Sequence, residues 1–257
     1  MAGLTGQQMV TDQDIRTTST SRGSALLGQK VITSDGRQFT YNANTSTSVA
    51  LSPGKLTQGA IGTANHLNQT GVVLAAGTQQ NITYTIGATA ITADQYTQGY
   101  FVVIDGTGPG QALQIASHNT PGSAGKVTLT LYDAIITATD ATSKFSLHPN
   151  PFSTSLIYAH ASPTTALPTG VPAISIAAAS TALPSNFYWS QVGGVCSVLA
   201  DNASWVNTFD GVIASTLTDG AFGIQASATI QPTLGYSMDT LVSAKYRPVM
   251  LTGGIVA

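Results

Sequence analysis

Three glycines, Gly106, Gly108 and Gly110, follow an apolar run in the stretch YFVVIDGTGPGQALQIASH, residues 100–118. Glycines packed this way can cradle a phosphate, if backbone N–H groups converge on the anion and a helix begins behind them. The surrounding residues do not complete that chemistry. No Lys or Arg follows Gly110, Pro109 removes one N–H, and the spacing is G-x-G-x-G. Asp105 precedes the glycines, whereas a dinucleotide fold carries its acid about twenty residues after them. Leu113 and Ile115 alternate with polar or small neighbours, so the stretch reads as strand, turn, strand.

Other reactive side chains are few. His66, His118, His148 and His160 are too far apart in sequence for any two to share a helix turn or a strand face. With one cysteine and no glutamate, neither C-x-x-C nor H-E-x-x-H can be written. Cys196 lies in GGVCSVLA and reads as a small buried residue rather than a nucleophile. Asp12 and Asp14 have the spacing that opens a calcium loop, but the glycine and glutamate that continue such a loop are missing. They read as a solvated turn or a helix cap. Serine is plentiful, yet no G-x-S-x-G elbow occurs. The aromatic cluster Phe187, Tyr188 and Trp189 has no Lys or Arg near it to suggest stacking on nucleic acid. No catalytic, cofactor-binding or metal-binding residue is assigned, and the chain is not expected to be an enzyme.

The elements that position these residues follow from composition. Only 8% of the chain is charged, all eleven acids are Asp, and Gly makes up 26 of 257 residues. Ordinary soluble proteins are about a quarter charged. Scarce Glu and Lys with abundant Thr, Val and Ile disfavour helices and favour strands. The expectation is an all-β chain, mainly β with little helix, built as β-sandwich or β-barrel domains with an extended N-terminal arm. A net charge of −2 gives no electrostatic footprint for nucleic acid or for a membrane surface. The first residues hold no apolar signal core, so a soluble protein made in a reducing cytoplasm is expected.

Along the chain, residues 1–28 are polar and are expected to order only against a partner. Residues 29–152 read as a β domain, with a hairpin turn at Ser34-Asp35-Gly36, a Pro-Gly turn at 53–54, and clean alternation at Val127, Leu129 and Leu131. Thr92 can cap one helical turn. Residues 153–184, rich in Pro, Ala, Ser and Thr, read as a connector with one strand at 173–177. Residues 185–257 read as a second β domain. In it Phe187 and Trp189 share one face, Tyr188 and Ser190 the other, and Gly193-Gly194 turns the chain.

Two blocks carry a family likeness. One is GATAITADQYTQGYFVVIDGTGPGQALQIASHN followed by KVTLTLYDAIITATDATSKFSLHPNPF; the other is NFYWSQVGGVCSVLADN followed by KYRPVML. In phrasing and order, over roughly residues 28–251, they resemble bacteriophage capsid decoration proteins, also called cement or head-stabilising proteins. The resemblance implies a non-enzymatic virion protein on the capsid surface, assembled in the host cytoplasm, that bridges capsid subunits and stabilises the head. Its implied partners are the major capsid protein and its own copies, a trimer favoured, with no direct nucleic acid and no membrane. Residues 1–28 and the loops beside the aromatic cluster are the expected contacts. Alternatives are a major capsid, tail or fibre subunit, or a β-fold hydrolase. A major capsid fold would need a long amphipathic helix, and a fibre would show repeats; neither pattern is present.

Overall fold

A computed structural model describes residues 8–77, 80–160, 167–180, 185–201, 205, 208–225, 231–240 and 245–253. These residues are nearly all β. Helix is limited to two single 3-10 turns, Asp14–Arg16 and Ala64–His66. In chain order the strands are β1 (Gln8–Met9), β2 (Lys30–Ile32), β3 (Gln38–Asn44), β4 (Thr57–Gln58), β5 (Gln69–Thr70), β6 (Asn81–Thr85), β7 (Tyr100–Asp105), β8 (Ala112–His118) and β9 (Lys126–Leu131). They continue as β10 (Lys144–His148), β11 (Leu156–Ile157), β12 (Pro168–Pro172), β13 (Asn186–Leu199), β14 (Gly211–Ala214), β15 (Phe222–Ile224), β16 (Gly235–Ser237) and β17 (Tyr246–Thr252).

The chain forms two compact units. One combines Met1–Ala60 with Pro151–Ala257; the other, Ile61–Asn150, is inserted between them. The boundary expected at 152 lies beside the division at Asn150–Pro151, whereas those expected near 28 and 184 fall inside the first unit, and the division at Ala60–Ile61 has no counterpart in the sequence reading. The reason is long-range pairing: β3 runs antiparallel to β13, from Asn44 opposite Asn186 to Gln38 opposite Gly193. Sequence neighbours therefore separate, and the two ends of the chain fold as one body.

The inserted unit is a six-stranded antiparallel sheet in the order β5-β10-β7-β8-β9-β6. It curls until β5 and β6 face each other across a cavity of ≈ 470 Å³ lined by Thr70, Val72, Thr83, Thr85 and Lys126. Just beyond β6, the Gly87 N–H bonds the Asn65 carbonyl and ties the seam. Alternation makes this barrel: Ile82 and Tyr84, Phe101 and Val103, Leu113 and Ile115, Val127 and Leu129, and Phe145 and Leu147 all point inward.

In the larger unit the main sheet runs β1-β2-β3-β13-β17-β16-β14-β15, and β12 also joins β13, linked on to β4 and β11. The Leu56 N–H bonds Gly220, and the Gly220 N–H bonds Tyr158. These bonds bring the β4 branch round to the β14–β15 side and enclose a core of Leu56, Val171, Val192, Val198, Trp205, Phe222 and Val249.

Three local expectations are corrected. Gly193-Gly194 makes no hairpin, because β13 is a single strand of 14 residues through both. The register shifts between Gln191 and Gly193, and Gly194 has φ +81°, so the glycines bend the strand as it changes partner from β3 to β17. The expected connector holds β11 and β12; its strand is Pro168–Pro172, and residues 173–177 make only the Leu51–Ile176 bridge. Part of that connector, 161–166 and 181–184, lies outside the described residues. Thr92 opens a turn rather than a helix, with the Gln95 side-chain oxygen accepting from the Thr92 N–H at 3.0 Å.

Residues 8–28 are irregular and extended, but their contacts come from their own unit. β1 pairs in parallel with β2, and Ser19 bridges Phe187. Ile15 is 1% exposed against Val31 and Phe39, with Val10 and Trp189 alongside.

Candidate interaction surface

Glycines 106–110 form the β7–β8 turn, with φ of +75°, +72° and +85° at Gly106, Gly108 and Gly110. The turn is anchored to residues 137–143. Asp140 accepts from Thr107 Oγ1 at 2.7 Å and from Thr142 N at 2.7 Å. Those bonds, the Thr107 hydroxyl first, hold its carboxyl down at about 2.

Folding brings two of the four histidines together, on either side of Tyr96 in the inserted unit. His66, fully buried, bonds the Tyr96 hydroxyl through Nδ1 at 2.5 Å and the Thr89 carbonyl through Nε2 at 2.8 Å. A carbonyl can only accept, so Nε2 carries the proton and the Tyr96 hydroxyl donates to Nδ1. His118 accepts the Tyr96 N–H at Nε2 and donates from Nδ1 to the Asn119 carbonyl. Both rings thus use both nitrogens to fix the chain around Tyr96. His160 contacts Asp219 at 2.7 Å on an exposed surface, and His148 lies at the exposed end of β10.

Asp12 pairs with Arg37 at 2.5 Å, and Asp14 accepts from the Thr11 hydroxyl and N–H, which lower its pKa. Cys196 faces the core, and burial pushes its thiol up to about 12. Among the described residues, no three His, Cys, Asp or Glu side chains converge as metal ligands. No helix among them is long and apolar enough to cross a membrane.

The outer face of the main sheet carries the clearest surface feature. On β3 and β13 this face is aromatic. Tyr41 lies between Phe187, at 5.9 Å, and Trp189, at 4.8 Å, and its hydroxyl bonds the Arg22 carbonyl. Residues 8–28 cover this half. Beyond the Gly193-Gly194 bend nothing in the described chain covers the same face. Val195, Met250 and Tyr236 stand opposite one another on β13, β17 and β16, and the register puts Ser197, Pro248 and Met238 in the next row. Val195, Met250, Tyr236 and Met238 are exposed, as is Tyr246 at the end of β17. None of these side chains is charged. Successive residues of a strand point to opposite faces, so Arg247, Val249 and Leu251 are buried beneath them.

Proline is tolerated within β17 because of where its nitrogen faces. Hydrogen bonds from Gly253 to Val192 and from Ala200 to Lys245 assign the odd-numbered positions of β17 to β13. The Pro248 nitrogen therefore points the other way, towards β16 just where β16 ends, and no ladder bond to β13 is lost. At its edge the apolar face runs into a cavity of ≈ 390 Å³ lined by Arg16, Arg37, Pro53, Pro172, Val195 and Tyr246. The two arginines there are answered by Asp12 and Asp35.

Sequence reasoning singled out Phe187, Tyr188 and Trp189 but not the Val195–Met250–Tyr236 face. In KYRPVML the even-numbered set, Tyr246, Pro248 and Met250, carries no charge, while Lys245 and Arg247 make the odd-numbered set look like the outer one. Arg247 is in fact 2% exposed, 5.0 Å from the Trp205 ring centre and 3.3 Å from Asp239.

Comparison with protein-family models, curated proteins and solved structures finds no match to this chain.

Proposed function

We propose that this chain is a non-enzymatic structural subunit of a bacteriophage virion, a decoration or cement protein that binds the outer capsid lattice and stabilises the head. The observation that carries this reading is the uncharged apolar face of β13, β17 and β16, bare where the other half of the same sheet face is covered. Contiguous exposed apolar area marks a contact surface. A neutral face can be buried against another protein without stripping water from ions. The partners that suit it are the major capsid protein and further copies of the chain, with a trimer favoured. Several such contacts on one oligomer bind far more tightly than one alone.

The test is the copy number of this chain in gradient-purified virions, measured by quantitative mass spectrometry. On the order of hundreds of copies, in simple ratio to the major capsid protein, is expected for a closed symmetric lattice. A dozen or fewer would move the chain to the portal, neck or tail. Absence from particles would overturn the virion reading.

A further inference from the structure

The interior of the larger unit is not apolar throughout. Where β3 and β13 meet β4 and β12, Thr40, Asn42, Thr57, Ser155, Thr169, Tyr188 and Ser190 are all buried. Register places Tyr188 opposite Asn42 and Ser190 opposite Thr40. Part of this cluster satisfies itself. Thr57 Oγ1 donates to the Gly170 carbonyl at 2.8 Å, leaving the Thr169 hydroxyl to donate to Thr57 at 3.0 Å. Asn42 Nδ2 donates to the Thr40 carbonyl at 2.9 Å. Gly170 lets β12 come close: a Cβ there would lie 2.7 Å from the Ser190 Cβ.

Four atoms of the same cluster have no protein partner: Asn42 Oδ1, Ser155 Oγ, Tyr188 OH and Ser190 Oγ. Burial raises the Tyr188 pKa, and Ser155, Ser190 and Thr57 lie close enough to its hydroxyl to offset part of that rise, yet none forms a direct hydrogen bond with it. Buried polar groups are almost always paired, directly or through ordered water. One water donates twice and accepts twice. Here it can donate to the Asn42 oxygen, which only accepts, and divide its remaining bonds among three hydroxyls that do either. A metal cation would also meet four oxygens, but no acidic side chain belongs to the cluster, and an uncompensated buried charge is strongly disfavoured.

We propose that Tyr188, Ser155, Ser190 and Asn42 enclose a binding site for ordered water inside the larger unit, linking the β3–β13 pair to the residue that leads into β11. The first test is a high-resolution crystal structure of the full chain. Solvent density within hydrogen-bond distance of at least three of the four atoms is expected. Hydroxyls bonded directly to one another, with no density between them, would overturn the site. A peak with cation-like distances that vanishes on exchange of the salt would also overturn it. The second test counts long-lived internal waters by magnetic relaxation dispersion in solution. Ser190→Ala and Ser155→Ala should each lower the wild-type count, and an unchanged count in folded variants would count against the proposal. If neither variant folds, the wild-type crystal structure decides alone.

Discussion

Gly106 and Gly110 have nearly the same backbone twist, but a side chain would meet different surroundings at each. At Gly110 an added Cβ has open space, so Gly110→Ala should cost only the left-handed backbone penalty, about 1–2 kcal/mol. At Gly106 the Cβ would run into the Thr142 carbonyl and Ser143 Cα, so Gly106→Ala should cost roughly a further 1–3 kcal/mol for overpacking. Urea unfolding of the two variants side by side measures the difference. Equal losses would mean that the 106–110 turn does not rest on residues 142–143. Asp140, which ties the same two loops, gives a pH dependence. Its folded pKa, about 2, lies below the ordinary 3.8. The stability it adds is therefore fully present above 3.8 and is lost as pH falls towards 2. Stability measured across that window should fall less steeply in Asp140→Asn. Cys196, with its thiol raised to about 12, should resist alkylation in the native protein at neutral pH and react readily once unfolded. At this scale the sequence was informative wherever chemistry is local. The turn glycines and the inward-facing cysteine follow from their neighbours. Arg247 and the Tyr96 histidines do not: their partners lie across the fold, and Trp205 stacks on Arg247 from another segment.

Strands were legible wherever one face is wet and the other dry, as in β6, whose residues alternate exposed and buried without a break. Pairing was not legible, because β3 and β13 find each other across more than half the chain. The N-terminal segment shows the same gap. Its few apolar residues read as too sparse to fold, yet one of them, Ile15, completes a cluster whose other fully buried members lie on β2 and β3. Ile15→Ala should therefore cost about 2–5 kcal/mol. Deleting residues 1–28 should also shift tryptophan emission to the red as Trp189 meets water, a loss of fold as well as of any contact. The bare half of the sheet should respond in the opposite way. Met250→Asp places a charge on an exposed position, and should cost no more than about 1 kcal/mol in folding. It should weaken self-association or capsid binding by about tenfold or more, because the charge is buried unpaired in the contact. Sedimentation and capsid-binding assays of one preparation measure both. A stable variant with undiminished binding would move the contact surface elsewhere.

For the whole molecule, composition was enough to establish the β class, since the scarcity of Glu and Lys acts along the whole chain. It could not show that the middle of the chain is an insertion, because an insertion is defined by which residues meet. Residues 61–150 carry their own barrel and core. A fragment of that span should unfold in a single cooperative transition, and a chain joining Ala60 to Pro151 through a short linker should keep the fold of the larger unit. Calorimetry of the two pieces against the intact protein is the measurement. A fragment without a transition would show that the barrel depends on its host. The join is feasible because the Ala60 N–H bonds the Pro151 carbonyl at 3.3 Å, so the chain leaves the larger unit and re-enters it at one place. Once two ends are held together, lengthening the loop between them is cheap, about 0.6 kcal/mol for each doubling. In closure entropy, the length of chain between Ala60 and Pro151 therefore matters little to the host fold. Selection can exchange, enlarge or erase the inserted module at that cost, and Ala60–Pro151 is the natural graft point for a foreign domain.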